Sequence, residues 1–400
     1  VAALNTTTFA YALKTLYSQR KLQNLAYKNN PWFAMIPKDT NFKGANFVEA
    51  MIYGHLAGRA EAFATAQANK AASKGVAFTI TRAKDYALAS IDTETILASR
   101  GNEAAFLAAV KREMDSAIHA ITRSMAKDLF GAGYGTLGIQ SGAVSGSTVT
   151  LSRADDVTNF EVGMKVVAAA PTGAIPTGAP STAVTVDAVD RDAGTIDVSG
   201  TTGFDANDHI LAEGDYTTGS RSKLYGLGAW IPYTAESSGT FFGVDRTVDV
   251  SRMQGHRLDG SALNIDEAVL KMAVRIAREG GQPDMAILAY EKWEEFVNLL
   301  GAKVVYETHN VGEVGFQSLK VHGPAGPINI FADQNCPSNR AYVLTKDSWR
   351  FRSLGPAPQI LNLDGLQMMR EYNADAYEIR VGFFGNTCCN APGYNGVLNV

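Results

Sequence analysis

The chain is poor in cysteine, has no long apolar run and no excess of positive charge, and carries none of the compact motifs of catalysis or metal binding. Three cysteines in 400 residues (Cys336, Cys388 and Cys389) make no disulfide framework. Two are adjacent, and a ring closed through neighbouring residues is strained, so reduced thiols in a cytosolic product are expected. No run of 18 apolar residues occurs, so no segment reads as membrane-spanning. VAALNTTTFAYALKTLYSQRK at the N-terminus lacks the basic start and apolar block of a secretory signal. Val1 in place of Met fits removal of Met or of a longer leader. No G-x-x-x-x-G-K-[ST] is present, which removes a P-loop. The six histidines (His55, His119, His209, His256, His309, His322) show no H-x-x-x-H grouping, and none stands at ligand spacing to a cysteine.

What is present suits a globular protein of two or three folded units: 46% hydrophobic and 19% charged residues. The net charge of −4 hides an asymmetry, because residues 135–215 hold 11 acids against 3 bases. That segment is a poor partner for nucleic acid.

Residues 1–40 read as an arm, with helical spacing up to Pro31 and aromatics (Phe9, Tyr11, Tyr17, Tyr27, Trp32, Phe33) that need a surface. Residues 41–98 predict a long hairpin, NFVEAMIY against GVAFTITRAKDYALASIDTETILAS, with little core of its own. Residues 102–130 predict a helix about 40 Å long. Its apolar stripe is Leu107, Val110, Met114, Ile118, Ile121, Met125 and Leu129, opposite Lys111, Arg112, Asp115, His119, Arg123 and Lys127. Residues 139–215 switch to Gly, Ser, Thr, Val and Asp, with short strands STVTLS, KVVAAA, TAVTVDAVD, GTIDVS and DHILAEG. They predict an inserted small all-β domain, a barrel or a sandwich. A second helix follows over residues 265–279, with Asn264 and Glu267 at capping-box spacing and Gly280–Gly281 at its end. DMAILA then reads as a buried strand and YEKWEEFVNLLG as a short helix. Strands INIFAD, AYVLT, WRFRS, QILNL and the long MMREYNADAYEIRVGFF complete an α+β host with a mainly antiparallel tail.

Four features invite a chemical reading. GYGTLG matches G-x-G-x-x-G at Gly133, Gly135 and Gly138, but it follows a helix and precedes β structure, the reverse of a dinucleotide fingerprint. DRDAGTID (Asp190 to Asp197) has calcium-loop flavour, yet its glycine is one place early and no Glu closes it, so a hairpin turn is expected. GVDRTVDVSRMQGHRLDG gathers Arg246, Arg252, His256 and Arg257 with Asp245, Asp249 and Asp259 and reads as an ion-pair network in a loop. FADQNCPSNRAYVL sets Cys336 near Asp333. A nucleophile there needs a base, and His322 is the nearest histidine, whereas Pro337 and Asn339 read as a tight turn joining two strands.

The order of elements is itself informative: an arm, a long hairpin, a lone long helix, a capped second helix and a mixed sheet. With GLGAWI, GVDRT, AREGGQPDMAIL…YEKWEEF, FADQNCPSNRAYVLTKDSW and GNTCCNAPGYNGVLNV, it resembles the tailed-bacteriophage major capsid proteins of the Hong Kong 97-type fold. The resemblance implies an α+β capsid fold divided as follows: residues 1–40 N-terminal arm, 41–98 extended loop, 99–138 spine helix, 139–215 the all-β insert, 216–284 peripheral domain continued, and 285–400 axial domain with the C-terminal return. It implies an icosahedral shell around double-stranded DNA, enclosed without sequence specificity, in a virion whose protein is made in the host cytoplasm. The implied partners are copies of the chain as hexamers and pentamers, with scaffolding, portal and decoration proteins as candidates. No enzyme activity, cofactor, metal, catalytic residue or membrane is implied. Lys70 and Lys74 lie near the hairpin tip, where some members of the family cross-link through a Lys–Asn bond, but no Asn partner is identifiable here. An encapsulin-type nanocompartment shell is the alternative within the same fold, and a Cys-dependent hydrolase with a β accessory domain is the alternative from another class.

Overall fold

The computed structural model describes residues 30–56, 58–94, 103–172, 175–200, 203–218, 220–237, 239–300, 306–311, 314–362 and 368–400, with backbone alone for 103–110, 300, 306–311 and 314–317. The expected helix of the first 29 residues, the link after the hairpin at 95–102, and the side chains of Leu107 and Val110 lie outside the described residues.

A six-stranded sheet is built on the strand Ala376–Cys389. That strand pairs antiparallel with Ala83–Asp92 over ten residues, from Ala376↔Asp92 to Gly385↔Ala83. Trp349–Ser353, Gln359–Ile360 and Met369–Arg370 also pair with it, and Lys38–Asp39 lies parallel to Trp349–Ser353. Two expectations are corrected here. The second hairpin strand is not continuous: it divides at Arg82, so that Lys74–Thr81 pairs with Asn46–Gly54 while Ala83–Asp92 joins the sheet. MMREYNADAYEIRVGFF also folds back on itself, because Asn373 and Asp375 favour a turn and the Glu371 N–H bonds the Ala376 carbonyl at 2.9 Å. The long strand begins after that turn and runs on to Cys389.

The predicted long helix is present as Glu103–Asp128 and lies on the Ala83–Asp92 strand. Met114, Ile118, Ile121, Met125 and Leu129 are buried beneath it, while Lys111, Arg112 and His119 face solvent. The remaining part of the supposed arm is interior. Pro31–Met35 is a buried helical turn, with Trp32 edge-on to Trp349 at 5.7 Å and Phe33 edge-on to Phe351 at 5.8 Å.

The expected β segment forms an antiparallel sheet in the order Thr136–Ile139, His209–Ala212, Lys165–Ala169, Val184–Asp190, Thr195–Val198, Thr148–Thr150. Its first and last strands meet: Ser141 N–H donates to Thr150 O at 2.8 Å and Ser152 N–H to Ile139 O at 2.7 Å, closing the ring into a small barrel. Val149, Phe160, Val166, Val186, Ile196 and Ile210 fill it. DRDAG is the hairpin turn expected of it. The Asp190 carboxylate accepts from the Asp192 and Ala193 N–H groups, and Gly194 takes φ +68° where a Cβ would stand 2.7 Å from Ala154.

The third element is a seven-stranded mixed sheet, ordered His256–Asp259, Gly396–Asn399, Arg340–Leu344, Met285–Leu288, Gly326–Ala332, Val314–Gly323, Tyr306–Val311. Helices Ile265–Arg278 and Tyr290–Leu300 pack on it through Ala268, Val269, Met272, Ile276 and Phe296. The first ends as expected: Gly280, at φ +92°, donates to Ala277 O, and Gly281 donates to Ile276 O. Its start differs, because the Asn264 side chain makes no capping bond. Acids Asp266 and Glu267 in the first turn and Arg275 and Arg278 in the last still suit the helix dipole.

Candidate assembly surface

Cys336 is not in a tight turn between paired strands. Gly326–Ala332 and Arg340–Leu344 lie on opposite sides of Met285–Leu288, so FADQNCPSNR arches over the end of that central strand. The Asp333 N–H caps Leu288 O at 2.9 Å, and two successive turns follow, Cys336 N–H to Asp333 O and Arg340 N–H to Pro337 O. Cys336 is 2% exposed, and its sulfur contacts the Ile287, Pro337 and Arg340 carbonyls at 3.5–3.9 Å. Burial, and then the Asp333 charge, pushes its thiol well above the usual range, which disfavours the thiolate a nucleophile needs. Asp333 serves other groups. Its oxygens accept from Trp32 N–H at 3.2 Å and Asn335 N–H at 2.9 Å, fastening residues 30–35 to the arch, and burial raises its carboxyl to about 6.

The 243–260 cluster is a network, but it reaches beyond a loop. Val250–Gln254 is a helix capped by Asp249, and His256–Asp259 is a strand. Asp245 and Asp259 serve nearby backbone and hydroxyl groups rather than the arginines. Arg246, 2% exposed, pairs with Glu236, donates to Ala229 O and Trp230 O at 3.0 Å, and lies 3.7 Å from the Phe241 ring centre. Arg252 donates to Tyr53 O at 2.8 Å and to Glu279 at 3.1 Å. The cluster therefore grips the hairpin.

That hairpin has two unlike faces. Phe47, Met51, Phe78 and Ile80 turn inward, and Phe78 lies edge-on to Trp230 at 5.2 Å. Arg352 secures the base, pairing with Asp39 and with Glu49 and stacking on Phe47 at 3.8 Å. Along the ribbon, residues 46–53 and 75–81 thus rest on their own chain. The opposite face carries Val48 (59% exposed) and Ile52 (69%), with Ala50 and Ala77 paired between them. Beyond the ribbon, Leu56 and Phe63 are 76% and 81% exposed, and the tip helix Phe63–Ala68 buries no residue. Lys70 and Lys74 are exposed there. The sequence signal for this surface is NFVEAMIY, whose alternate positions are apolar on both faces, which a ribbon lying on one surface does not need.

Where the barrel joins the body, Lys223 is bound by Asp85 and Asp215, each at 2.9 Å, and Lys127 by Asp156 at 2.7 Å. Asp128 is buried among them with Oδ2 lacking a hydrogen-bond partner. Burial raises its carboxyl to about 8, with Asp85 and Asp215 adding to the rise and Lys223 and Lys127 opposing it. Sequence reasoning missed this cluster, since its members are far apart along the chain.

The remaining candidates separate. Gly133 and Gly135 have positive φ in the loop leaving the long helix, and Gly138 sits in a barrel strand, so no helix N-terminus faces them. His119 is exposed, and His209 faces Thr136 at 2.9 Å, with burial lowering its pKa to about 4. His309's side chain lies outside the described residues. Among the described residues, no group of three or more His, Cys, Asp or Glu is placed to hold a metal ion, and no helix is long and apolar enough to cross a membrane. All three cysteines are buried and unpaired.

Residues 204–364 match a family model described as SU10 major capsid protein. Four of the five sequence stretches singled out above fall inside that match, and GNTCCNAPGYNGVLNV falls outside it. The chain is similar to a subunit of the cyanophage A-1(L) capsid asymmetric unit, at 11% identity and TM-score 0.50 with 92% of each chain covered, which shows a shared fold. It is similar more loosely to a chain of Mycobacterium phage Cain, at 10% identity and TM-score 0.40, covering 100% of this chain and 98% of that one. A similar likeness links it to the SrpI encapsulin of Synechococcus elongatus PCC 7942, at 7% identity and TM-score 0.45, covering 100% and 96%. No curated protein matches.

Proposed function

We propose that this chain is a shell-forming major capsid protein of the tailed-phage type, which polymerises into an icosahedral head enclosing double-stranded DNA; the match of residues 204–364 to a major capsid family model and the fold shared with a cyanophage capsid chain support the reading. Hexamers and pentamers are its building units. One observation carries the reading: a two-stranded ribbon held on its own body by one face presents Val48, Ile52, Leu56 and Phe63 to solvent from the other face and the tip. Such a surface is costly in an isolated subunit and gains its burial when a neighbour covers it.

In this assignment the hairpin of residues 46–81 is the extended loop, Glu103–Asp128 the spine of the peripheral domain, and the seven-stranded sheet the axial domain. The barrel is an insertion that projects outward, because a segment with 11 acids against 3 bases is repelled by packaged DNA. The protein is made in the host cytoplasm and ends in the virion. Scaffolding, portal and decoration proteins are its further partners, and its role is structural, with Cys336 a packing residue rather than a nucleophile.

The test is size-exclusion chromatography with negative-stain microscopy of the purified chain. Hollow particles or capsomer rings are expected. A stable monomer or dimer, even with other phage proteins supplied, would overturn the assignment.

A further inference from the structure

Buried contacts hold the hairpin's inner face from Ile80 out to Met51, and the Thr79 N–H donates to Phe242 O at 2.9 Å. Past Met51 the ladder slips. Ile52 pairs with Gly75 and Gly54 with Lys74, which leaves Tyr53 as a bulge between them. The Tyr53 carbonyl is taken by Arg252 Nη1 at 2.8 Å. Arg252 itself stands on a firm base. Its N–H is accepted by the N-cap Asp249, and Gln254, fully buried in the same short helix, donates to Arg246 O. Gly393 packs so close that a Cβ there would stand 2.9 Å from Arg252 Cα. From this base Arg252 Nε reaches Glu279 at 3.1 Å, the residue that closes the helix Ile265–Arg278. An acid at that end opposes the helix dipole, so its place is explained by the guanidinium it meets rather than by the helix.

We propose that Arg252 is the positioning residue of the hairpin: one guanidinium, divided between Tyr53 O and Glu279, fixes the ribbon's tilt against the end of the helix Ile265–Arg278 and so sets where the exposed apolar surface is presented. The inference rests on the shell-forming reading and deepens it by naming the group that pre-organises the contact surface. The ribbon's length makes its tilt matter. Nine residues at about 3.3 Å each span about 30 Å, and a tilt of about 10° at the base carries the far end through about 5 Å. That is enough to take Ile52 and Phe63 out of register with a neighbouring copy. Holding the tilt in the free subunit removes an ordering cost from every contact formed. The planar fork of arginine suits the task, since the ammonium of lysine is a point charge on a flexible stem.

The test is a distance across this clamp in the free subunit, read by double electron–electron resonance between spin labels on Lys74→Cys, at the ribbon's far end, and Lys271→Cys, on the helix. Both positions are exposed, and the three native thiols are buried. With Arg252 in place a single narrow distance is expected. Arg252→Ala is expected to broaden it about twofold or more while melting shifts by no more than about 3 °C, because the Arg252 side chain is 43% exposed. Glu279→Gln is expected to broaden it less, and Arg252→Lys to recover part of the sharpness. Without labels, Arg252→Ala is expected to lower particle yield by about tenfold. A distance that stays narrow in Arg252→Ala, one already broad with Arg252 present, or a normal particle yield from Arg252→Ala would each overturn the positioning role and leave the shell reading intact. A distance that responds as expected in a chain that never forms particles or capsomers would instead keep the clamp and remove the shell reading.

Discussion

Residues 136–212 and residues 46–81 are both β structure outside the two large sheets, and they treat their edges and faces in opposite ways. The barrel pairs its first strand with its last through Ser141 and Ser152, and encloses Val149, Phe160, Val166 and Ile196 within itself. The hairpin is two strands with no closure. It gives one face to the body through Phe78 and Ile80 and leaves Val48 and Ile52 uncovered on the other. A closed ring has no free edge to template association, whereas an open ribbon with an apolar face is a standing invitation to it. On the proposed shell-forming reading, this difference tells the self-contained part from the contact-making part.

The comparison can be broken most severely in the cores. Phe78→Ala is expected to destabilise the body by about 3–5 kcal/mol, because Phe78 is fully buried against Trp230 and Phe241. Phe160→Ala should cost a similar amount inside the barrel, yet as a separate transition, since Phe160 packs in the barrel's own core. Differential scanning calorimetry reads both. If Phe160→Ala lowers the body's transition by as much as Phe78→Ala does, the barrel is not self-contained and the contrast fails.

A smaller effect on the subunit is expected from its uncovered face. Val48→Asp with Ile52→Asp should change subunit stability by no more than about 1 kcal/mol, the range for exposed strand positions, while particle yield collapses. Thermal melting of the free subunit and sedimentation of the assembly mixture separate the two effects. A melting loss comparable to that of Phe78→Ala would mean that the face is covered in the subunit itself.

How far this contrast was legible beforehand depended on whether the cause was local. Barrel strands showed as short alternating runs between turn signals, and the long helix as a stripe at steps of three and four, because each pattern is written in neighbouring residues. The division of the second hairpin strand at Arg82 was hidden: Lys74–Thr81 and Ala83–Asp92 are equally strand-like, and only their distant partners, Asn46–Gly54 and Ala376–Cys389, distinguish them. The same holds for Cys336. Its apolar flanks read correctly as strands, but Met285–Leu288, which lies between them, comes from some forty residues earlier. Trp32 was assigned to an outlying arm because its acceptor, Asp333, is 301 residues away.

The joint between barrel and body offers the finest test, through Asp128. Asp85, Asp215, Lys223, Lys127 and Asp156 surround or adjoin it, and burial dominates, holding its carboxyl protonated up to about pH 8 against an ordinary value of 3.8. Below about pH 4 the folded and unfolded chains both carry the proton, so the group favours neither. As pH rises, the unfolded chain ionises while the folded chain cannot, and stability is lost progressively until the folded carboxyl also ionises near pH 8. Asn has the shape of the neutral acid and does not titrate. Asp128→Asn should therefore leave the melting temperature nearly unchanged at pH 4 and raise it by an increment that grows through pH 6 to pH 8. Lys223 keeps Asp85 and Asp215 as partners in either case, so the growth belongs to Asp128. An increment that shrinks or reverses as pH rises would show Asp128 ionised and held by Lys223, making the joint an ion-pair anchor of the barrel rather than a neutral seam.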